Sequence, residues 1–454
     1  MSQNFVLKKG LNIPIAGEAV PRVSKTIAPG IVAVQPTDFK GFLPRLLVKE
    51  GDPVLCGSPV MADKKNADIL VTSPVSGKVK EIVRGEKRKL LAVLVEADAK
   101  QQCVDFGVKD AAKLDAGQVR QAILQSGLFP WLVQRPYGII ADPDVRPRDI
   151  FISTFSTAPL AADSKFCFGD ELKAAQAGVC ALSKLTDGKV HVALDGNGGT
   201  SPFAGLQHCE LHVFQGKHPA GNVGVQISHI APICKEETVW TASMTTLIAI
   251  GKLFTTGKYD VRRKVAVTGP MAVEPAYIET VPGMPMKEIA FFCGNTAEET
   301  LRVISGDVLS GKTVGKEGYL GVFDNQISLL HEGTEQELLG WINPIRAHQF
   351  SADRSYFSWL MPERKKYAMD TNLHGGPRAF LMNDGYYSRV LPMDIYPVYL
   401  AKACLAGDIE KMEKFGIYEV LPEDLATCEF VDPSKNNIQE MIEQGIDLML
   451  KEMA

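Results

Sequence analysis

Two segments near the carboxyl end of the chain have the proline of an iron–sulfur binding run without its ligands. Such a run has the spacing C-x2-C-x2-C-x3-C-P, and its thiolates hold the iron of a cluster. The prolines at 392 and 433 would place the ligands at Leu381, Asp384, Tyr387, Leu391, Pro422, Leu425, Cys428 and Asp432. A single thiolate cannot hold a cubane, so this spacing predicts that no cluster binds here. The alternative is that Leu-Pro and Asp-Pro are common dipeptides and that the match is chance.

The other sulfur and nitrogen ligands do not form a recognisable metal or redox motif. None of the nine cysteines lies three positions from another, which excludes the CxxC pairs of zinc ribbons and thioredoxin-like centres. His208 and His212 are four apart, but Leu211–Phe214 is typical of a strand, so we predict no metal site. The loop Gly196–Thr200 could cradle a phosphate. It lacks GxGxxG spacing and a P-loop lysine, so a tight turn is favoured.

Residues 40–95 predict a small barrel that resembles biotinyl and lipoyl carrier domains. Short valine- and leucine-rich runs are broken by Gly-Asp and Ser-Gly pairs, which predict hairpins at Leu47–Val54 and Ser73–Val79. Carriers of this type present one modifiable lysine at a hairpin tip, and Lys64 and Lys65 come nearest to that position. Both fall two or three residues too early after Gly57. A packing or docking surface is therefore favoured over a swinging arm.

The elements that would position a site follow in the order of a multidomain α/β protein. Strands and helices alternate over residues 99–260, which predicts a Rossmann-like, doubly wound sheet. The strands are expected at Asp149–Phe155 and His191–Asp195, and the helices at Ala112–Gly127 and Asp170–Leu185.

Two further regions complete the expected architecture, after a barrel domain with an N-terminal arm over residues 1–98. Residues 261–330 predict a small β-rich unit, and residues 331–454 predict a loop region and a C-terminal helical domain. The last helix is expected to have one apolar face, formed by Ile438, Met441, Ile442 and Ile446.

Composition limits the class of protein. The chain has 454 residues and a mass of 49.4 kDa, which suggests about three domains. Its net charge of −4 predicts no nucleic-acid partner. No apolar run approaches the roughly 20 residues that span a bilayer, and the first residues lack the apolar core of a secretion signal. We expect a cytosolic protein, which could dock on a membrane protein.

Four segments carry a resemblance that none of them alone would establish. They are Lys8–Gly17, Gly216–Gly221, Val267–Pro270 and the stretch from Pro377 to Ile395. In this order they resemble the family of A subunits of sodium-translocating NADH:quinone reductases (Na+-NQR), which is related to the NADH-binding subunit of complex I and to the Rnf C subunit. The resemblance covers nearly the full chain. It implies a biotinyl/lipoyl-like β-barrel, a Rossmann-like sheet, a small β-grasp (SLBB-like) unit and a C-terminal helical bundle with a degenerate ferredoxin-like frame.

Two departures from the flavin-bearing relatives limit what the chain could bind. The flavin and dinucleotide loop of those relatives is glycine-rich, because backbone amides must come close to phosphates. The matching stretch, Ser126–Pro136, keeps one glycine, and Leu128, Phe129 and Trp131 would occupy the phosphate space. Together with the missing thiolates, this implies a subunit with no flavin or cluster of its own. FMN, FAD, Fe-S clusters and NADH would then lie on partner subunits.

The resemblance also implies where the chain works. It would be peripheral on the cytoplasmic face of the bacterial inner membrane, attached to the membrane-embedded B subunit of the complex and to its other subunits, near the site of quinone reduction. A quinone requires an apolar slot and donors for its carbonyl oxygens. The candidate quinone or partner contacts are Phe129, Trp131, Lys217, His218, Pro219 and Gly221. The alternative is that the two aromatic rings are core and that the segment 217–221 is a structural crossover.

Two other functions stay open from the sequence: a scaffold without quinone contact, and an Rnf C-like subunit that carries electrons itself. A docking role has a separate signal in two basic clusters. Arg84, Lys87, Arg88 and Lys89 form a hairpin, and Arg364–Lys366 lie in the loop region. Such runs are usually solvated tips, but they are also suited to contact a membrane protein or anionic lipid headgroups.

Overall fold

The computed structural model describes residues 3–294, 300–333, 346, 349–352, 357–360, 365–372 and 384–452. Three units that contain sheets follow one another, and a group of helices ends the chain. The first two strands, β1 (Gln3–Val6) and β2 (Val20–Thr26), join the sheets of the second and third units instead of the barrel. The N-terminal arm therefore ties together units that are distant in sequence.

The barrel is built from two small sheets that share one apolar core. Its strands are β3 (Ile31–Val34), β4 (Pro44–Leu46), β5 (Pro53–Val54), β6 (Pro59–Asp63), β7 (Leu70–Thr72), β8 (Gly77–Arg84) and β9 (Leu90–Ala97). One sheet has the order β3-β9-β8-β5 and the other the order β4-β6-β7.

The prediction of two hairpins in the barrel is wrong, because the strands on either side of each turn do not pair with each other. The strands on either side of Gly51 are β4 and β5, and those on either side of the turn at 73–76 are β7 and β8. In both cases the chain crosses from one sheet to the other, since β4 pairs with β6 and β5 pairs with β8. The sequence predicted the positions of the turns correctly, but it did not predict which strands pair. Strand pairing depends on which faces are buried together.

The second unit has a seven-stranded sheet with the order β1-β14-β13-β12-β15-β10-β11. Besides β1, its strands are β10 (Val133–Arg135), β11 (Ile139–Ile140), β12 (Ile150–Ser153), β13 (Val190–Asp195), β14 (Glu210–Gln215) and β15 (Val239–Ser243). The strands from β1 to β15 in this order are parallel, and β10 and β11 are antiparallel. The expected strands near 150 and 191, and the strand around His212, are confirmed.

The helices of this unit are α1 (Ala116–Ser126), α2 (Ser164–Phe168), α3 (Leu172–Leu182), α4 (Val223–Ile230) and α5 (Met244–Thr256). The expected end of α1 at Gly127 is confirmed, and this glycine has φ +76°. The expected start at Ala112 is wrong. Asp115 and Gln118 form a capping box, which starts the helix at Ala116.

The third unit is a mixed sheet with the order β19-β18-β20-β16-β17-β2. Its own strands are β16 (Arg263–Thr268), β17 (Ala276–Thr280), β18 (Leu301–Ser305), β19 (Lys312–Thr313) and β20 (Gln326–His331), and a short helix α6 spans Ala290–Cys293. The arm strand β2 covers the edge strand β17. Gly17, just before β2, has φ +93°, and a Cβ there would lie 2.1 Å from the carbonyl oxygen of Gly269. This close approach requires glycine.

The described C-terminal helices are α7 (Asp384–Val390), α8 (Pro397–Ala406), α9 (Ile409–Lys414), α10 (Ala426–Val431) and α11 (Ile438–Glu452). The expected apolar face of α11 is confirmed, since Ile438, Ile442 and Ile446 are fully buried. These helices share a core with strands β13 and β14 of the second unit. Most of the expected loop region, including Pro377–Ala379 and Arg364, lies outside the described residues.

Candidate functional site

The segment Lys217–Gly221 leaves the carboxyl end of β14 and turns along the edge of the parallel strands. It includes a cis peptide bond before Pro219. Thr157, in the loop after β12, holds this turn at two points. Its hydroxyl lies 3.2 Å from Nδ1 of His218 and accepts a hydrogen bond of 2.9 Å from the amide of Gly221. The loops after β12 and β14 are therefore joined at this edge.

The N-terminal arm packs on the same turn. The side-chain oxygen of Asn12 accepts a 3.2 Å hydrogen bond from the amide of His218. Gly10 has φ +134°, and a Cβ at this position would lie 2.6 Å from the carbonyl oxygen of His218. Such close backbone contact requires glycine. Lys8–Gly17 and Gly216–Gly221, which the sequence singled out separately, therefore form one junction.

His218 is uncharged at neutral pH. Its side chain is buried, and this burial lowers its pKa to about 4, although Asp307 and Asp424 act in the opposite direction. A neutral imidazole offers one N–H donor and one acceptor nitrogen. Lys217, the preceding residue, is exposed. The junction therefore combines an exposed ammonium donor with a buried neutral imidazole.

Phe129 and Trp131 lie in the main hydrophobic core, where they are 0% and 2% exposed. The ring of Phe129 meets Trp240 edge-on at 5.6 Å between centroids, and that of Trp131 meets Phe323 at 6.2 Å. They belong to a different apolar cluster from the one that includes Ala220. The structure thus separates the two aromatic rings from the Lys217–Gly221 turn. Contact between these rings and a quinone stays a prediction that would require the core to open.

The stretch Ser126–Pro136, for which the resemblance implied a flavin-loop position, is packed within the protein. Leu128 and Phe129 are fully buried, and the turn Phe129–Trp131 leads directly into β10. A Cβ at Gly127 would lie 2.4 Å from the Thr72 side chain of the barrel. The barrel therefore packs closely against this loop, and its buried apolar residues do not fit a flavin or dinucleotide.

The positions predicted from the iron–sulfur spacing are also unsuited to metal. Cys428 is fully buried, and desolvation raises the pKa of its thiol, which opposes formation of the thiolate that binds iron. Tyr387, Leu391 and Leu425 are buried in the apolar core of the helices. Leu381, the first position of this set, lies outside the described residues. The residues that are described do not fit a cluster.

Two weaker sequence signals have clear positions. Lys64 and Lys65 are exposed at the tip between β6 and β7.

In the loop after β13, the amide of Asn197 donates to Asp195 at 2.8 Å, and its side chain donates to the carbonyl of Gly216 at 3.0 Å. These bonds close the loop as a tight turn against the start of the 216–221 segment.

A small cleft with a cavity volume of about 10 Å³ has Phe106, Lys109, Ala122 and Phe254 in its lining, which includes none of the six predicted contacts. It is smaller than the roughly 300–1,000 Å³ of most small-molecule sites. We assign it no ligand.

The sequence analysis missed one group of side chains that could bind metal. His191, Glu210 and His212 have ligand atoms within 4.8 Å of one another. The two histidines lie on neighbouring strands, where His191 is in register with Glu210 and Ala193 with His212. Side chains two residues apart on a strand share a face, so Glu210 and His212 both point toward His191. The expected parallel sheet was the available signal, but it did not specify this register.

Comparison with known proteins agrees with the order of the units. Three family models match the chain: the NqrA N-terminal barrel-sandwich hybrid domain at residues 5–98, the NqrA second alpha/beta domain at 114–259, and the NQRA C-terminal domain at 264–316. A relative from Yersinia pestis bv. Antiqua (strain Angola) is 39% identical, and the alignment covers 94% of this chain and 95% of the length of the relative. A relative from Pasteurella multocida (strain Pm70) is 36% identical, over 99% of this chain and all of its own. Both are named as A subunits of the Na(+)-translocating NADH-quinone reductase.

Solved structures provide a much weaker likeness. An NAD+-reducing [NiFe]-hydrogenase in the air-oxidized state aligns with 73% of this chain and 63% of its own at 10% identity, with a TM-score of 0.39.

The fold and the junction define a multidomain α/β protein with an N-terminal barrel-sandwich domain, a second α/β domain and a C-terminal domain. No helix in the described part of the chain is both long and apolar enough to pass through a bilayer. The chain belongs to the family of Na(+)-translocating NADH-quinone reductase A subunits, as the resemblance in its sequence implied.

Proposed function

We propose that this chain is a peripheral subunit of the sodium-pumping NADH:quinone oxidoreductase, docked on the membrane-embedded B subunit of that complex at the cytoplasmic face, where it helps to form or cap the quinone site. Agreement with A subunits over nearly their whole length supports membership of the complex. The observation that carries the quinone assignment is the turn at Lys217–Gly221, where an exposed lysine stands beside a buried neutral histidine. These are suitable donors for quinone carbonyl oxygens.

The topology of the second unit supports this location. Four parallel strands of this sheet have the order β14-β13-β12-β15. If they are numbered along the chain from β12, this is the order 3-2-1-4 that begins a Rossmann-like sheet. Open α/β sheets bind ligands outside the carboxyl ends of their strands, near the point where the strand order reverses. Here that point lies between β12 and β15, and Thr157, which holds His218, follows β12.

Electrons would be carried by partner subunits. The buried Cys428 and the filled loop at Leu128–Trp131 support the proposal that FMN, FAD, Fe-S clusters and NADH are bound elsewhere in the complex. An absorption spectrum and iron analysis of the purified chain test this point. A flavin or iron–sulfur chromophore on the isolated chain would favour the Rnf C-like alternative.

We expect Lys217→Ala to weaken quinone binding at least about tenfold, because a hydrogen bond from a charged donor contributes about 1.5–3 kcal/mol. His218→Gln should also weaken it, since Gln does not reproduce the position of the ring nitrogens. Quinone titration followed by tryptophan fluorescence, on the purified chain and on the assembled complex, measures both effects.

Lys64→Ala is the matched control for the quinone titration, because Lys64 is also an exposed lysine and lies on the barrel. It should leave the affinity unchanged. Unchanged quinone affinity in both Lys217→Ala and His218→Gln, with normal assembly, would favour the scaffold function instead.

The hairpin between β8 and β9 is the proposed contact with the membrane side of the complex. Arg84, Lys87, Arg88 and Lys89 are all exposed around its tip. Each basic residue near an anionic bilayer surface contributes about 1 kcal/mol of attraction. In the second basic cluster, Lys366 lies 3.6 Å from Glu18, so that its charge is partly balanced within the chain.

The double variant Lys87→Glu/Lys89→Glu should lower recruitment to membranes from cells that contain the complex by at least about tenfold, since two attractive charges become repulsive. The readout is the fraction of tagged chain that co-sediments with those membranes, with mass spectrometry of the proteins that co-purify. Lys173→Glu/Lys258→Glu changes charge equally at exposed positions of the second unit and serves as the control. Equal recruitment of the two double variants would exclude docking through this hairpin.

A further inference from the structure

The group formed by His191, Glu210 and His212 lies at the amino-terminal edge of the parallel strands, opposite the proposed quinone junction. Nδ1 of His191 and Nε2 of His212 are 2.9 Å apart, and Oε2 of Glu210 lies 3.9 Å from Nδ1 of His191. Two nitrogens bound to one tetrahedral Zn²⁺ ion lie about 3.3 Å apart, given bond lengths of about 2.0–2.1 Å. If the two rings move slightly farther apart, a metal ion can therefore fit between Nδ1 of His191 and Nε2 of His212.

The orientation of His191 suits a ligand. Oδ1 of Asp149 lies 3.5 Å from Nε2 of His191, on the side of the ring away from His212. Asp149 is itself held by the backbone amide of Lys189 and by Nε of Arg148, each at 2.9 Å. A carboxylate behind a histidine fixes which nitrogen is protonated, and such partners are usual behind metal-bound histidines. With the proton of His191 on Nε2, facing Asp149, the lone pair of His191 Nδ1 is directed toward His212.

The ring of His191 is also fixed by packing. It stacks on Phe151 with ring centroids 4.8 Å apart and an angle of 17° between the planes. His212 is 1% exposed, and its Nδ1 has no hydrogen-bond partner among the described residues. Packing therefore already holds Nδ1 of His191 and Nε2 of His212 close together, as binding of one cation requires.

Glu210 provides the negative charge and the route of access. Its side chain is 28% exposed, and one carboxylate oxygen pairs with Lys189, whose side chain is 60% exposed. The other oxygen faces His191. Lys189 can move into solvent when a divalent ion replaces it. Water can then fill the remaining coordination position on this open side.

We propose that His191 Nδ1, His212 Nε2 and a carboxylate oxygen of Glu210 form a site for one Zn²⁺ ion, with a fourth position open to water. Imidazole and carboxylate ligands in this number are typical of zinc sites with an open position. Bound zinc would join β13 to β14 directly. This site goes beyond the proposed function and does not depend on it, because it lies at the other edge of the sheet.

Zinc binding can be measured on the full chain after treatment with a chelator, by competition between the protein and a chromophoric zinc chelator. The Cys103→Ser/Cys234→Ser background removes the exposed thiols that would otherwise bind zinc. We expect one Zn²⁺ per chain, at least tenfold weaker binding in Glu210→Gln and in His191→Gln, and a higher unfolding temperature with zinc. Excess Mg²⁺ should not compete, because it prefers oxygen ligands.

His208→Gln is the matched control, because His208 is exposed and outside the group. It should bind zinc as the parent does. Glu210→Gln, at a partly exposed position, is decisive if His191→Gln fails to fold. Absence of stoichiometric zinc binding in the parent would overturn the proposal, and so would an affinity unchanged by Glu210→Gln.

Discussion

Replacing Arg135 by alanine is expected to lower the free energy of unfolding by about 3–5 kcal/mol, because it leaves two carboxylates without their buried cation. Nη1 of Arg135 donates to Asp424 and Nη2 donates to Glu423, each at 3.0 Å. Arg135 is 1% exposed and Asp424 is fully buried. Arg135 ends β10 of the second unit, and both acids lie just before α10, so the pair joins the sheet to the C-terminal helices.

The surrounding backbone leaves little room to adjust. A Cβ on Gly224, at the start of α4, would lie 2.1 Å from Oδ2 of Asp424 and 2.5 Å from Nη1 of Arg135. Asn222 also donates to the carbonyl of Glu423 at 3.1 Å. The ionic group is therefore packed tightly against α4. Water cannot easily take the place of the guanidinium after the substitution.

Chemical denaturation together with hydrogen exchange measures the effect of Arg135→Ala. Exchange should increase most in α10 and the turn before it, and should change little in the barrel. Arg262→Ala is the control, because Arg262 pairs with Asp260 at 3.0 Å while 68% of its side chain is exposed. Exposed pairs contribute about 0–1 kcal/mol. If Arg135→Ala were as stable as Arg262→Ala, the ionic group would not hold the helices to the sheet.

The second large effect is expected from Gly251→Ala in the middle of α5. In an exposed helix this change would stabilise the protein by about 1 kcal/mol. Here a Cβ would lie 1.8 Å from the carbonyl oxygen of Ala174 in α3. The contact is with backbone, so the two helices must move apart. We expect a loss of about 2–3 kcal/mol, which is the upper part of the usual range for overpacking.

The contact is reciprocal, which strengthens this expectation. On α3, a Cβ at Gly178 would lie 2.3 Å from the carbonyl oxygen of Leu247 in α5. The two helices therefore approach each other through one glycine on each. Gly178→Ala should have a similar effect, and the double variant should cost less than the sum, because both changes demand the same separation.

Gly205→Ala is the matched control for the helix pair, because nothing lies within 4 Å of a Cβ at Gly205. Its unfolding midpoint should be close to that of the parent protein. Thermal and chemical unfolding of the three single variants provide the comparison. A Gly251→Ala protein with raised stability would show that the helix preference of alanine outweighs the contact, contrary to our expectation.

Local elements could be predicted where one short segment has a strong pattern. Apolar runs predicted the strands near 150 and 191, and the spacing of Ile438, Ile442 and Ile446 predicted the buried face of α11. Gly127 predicted the end of α1. These features depend on neighbours within about one or two turns of chain, so their signals lie together in the sequence.

Pairing between distant segments could not be predicted in the same way. The barrel turns were expected to be hairpins, but the flanking strands enter different sheets. Nothing in the local pattern of residues 3–6 or 20–26 indicated that these strands would complete the sheets of two later units. Strand pairing depends on which faces and edges are covered across the whole molecule, and that is not encoded at one position.

The sequence by itself determined the family, the scarcity of cysteines that could bind a cluster, and the bulky residues at Leu128–Trp131. These features depend only on which residue types follow one another along the chain. Only the tertiary structure decided that Phe129 and Trp131 are core, that His218 lies beneath the N-terminal arm, and that His191 faces His212. The physical reason is that burial and side-chain proximity arise when strands and helices distant in sequence pack together. A side chain's chemistry depends on those neighbours as much as on its own type.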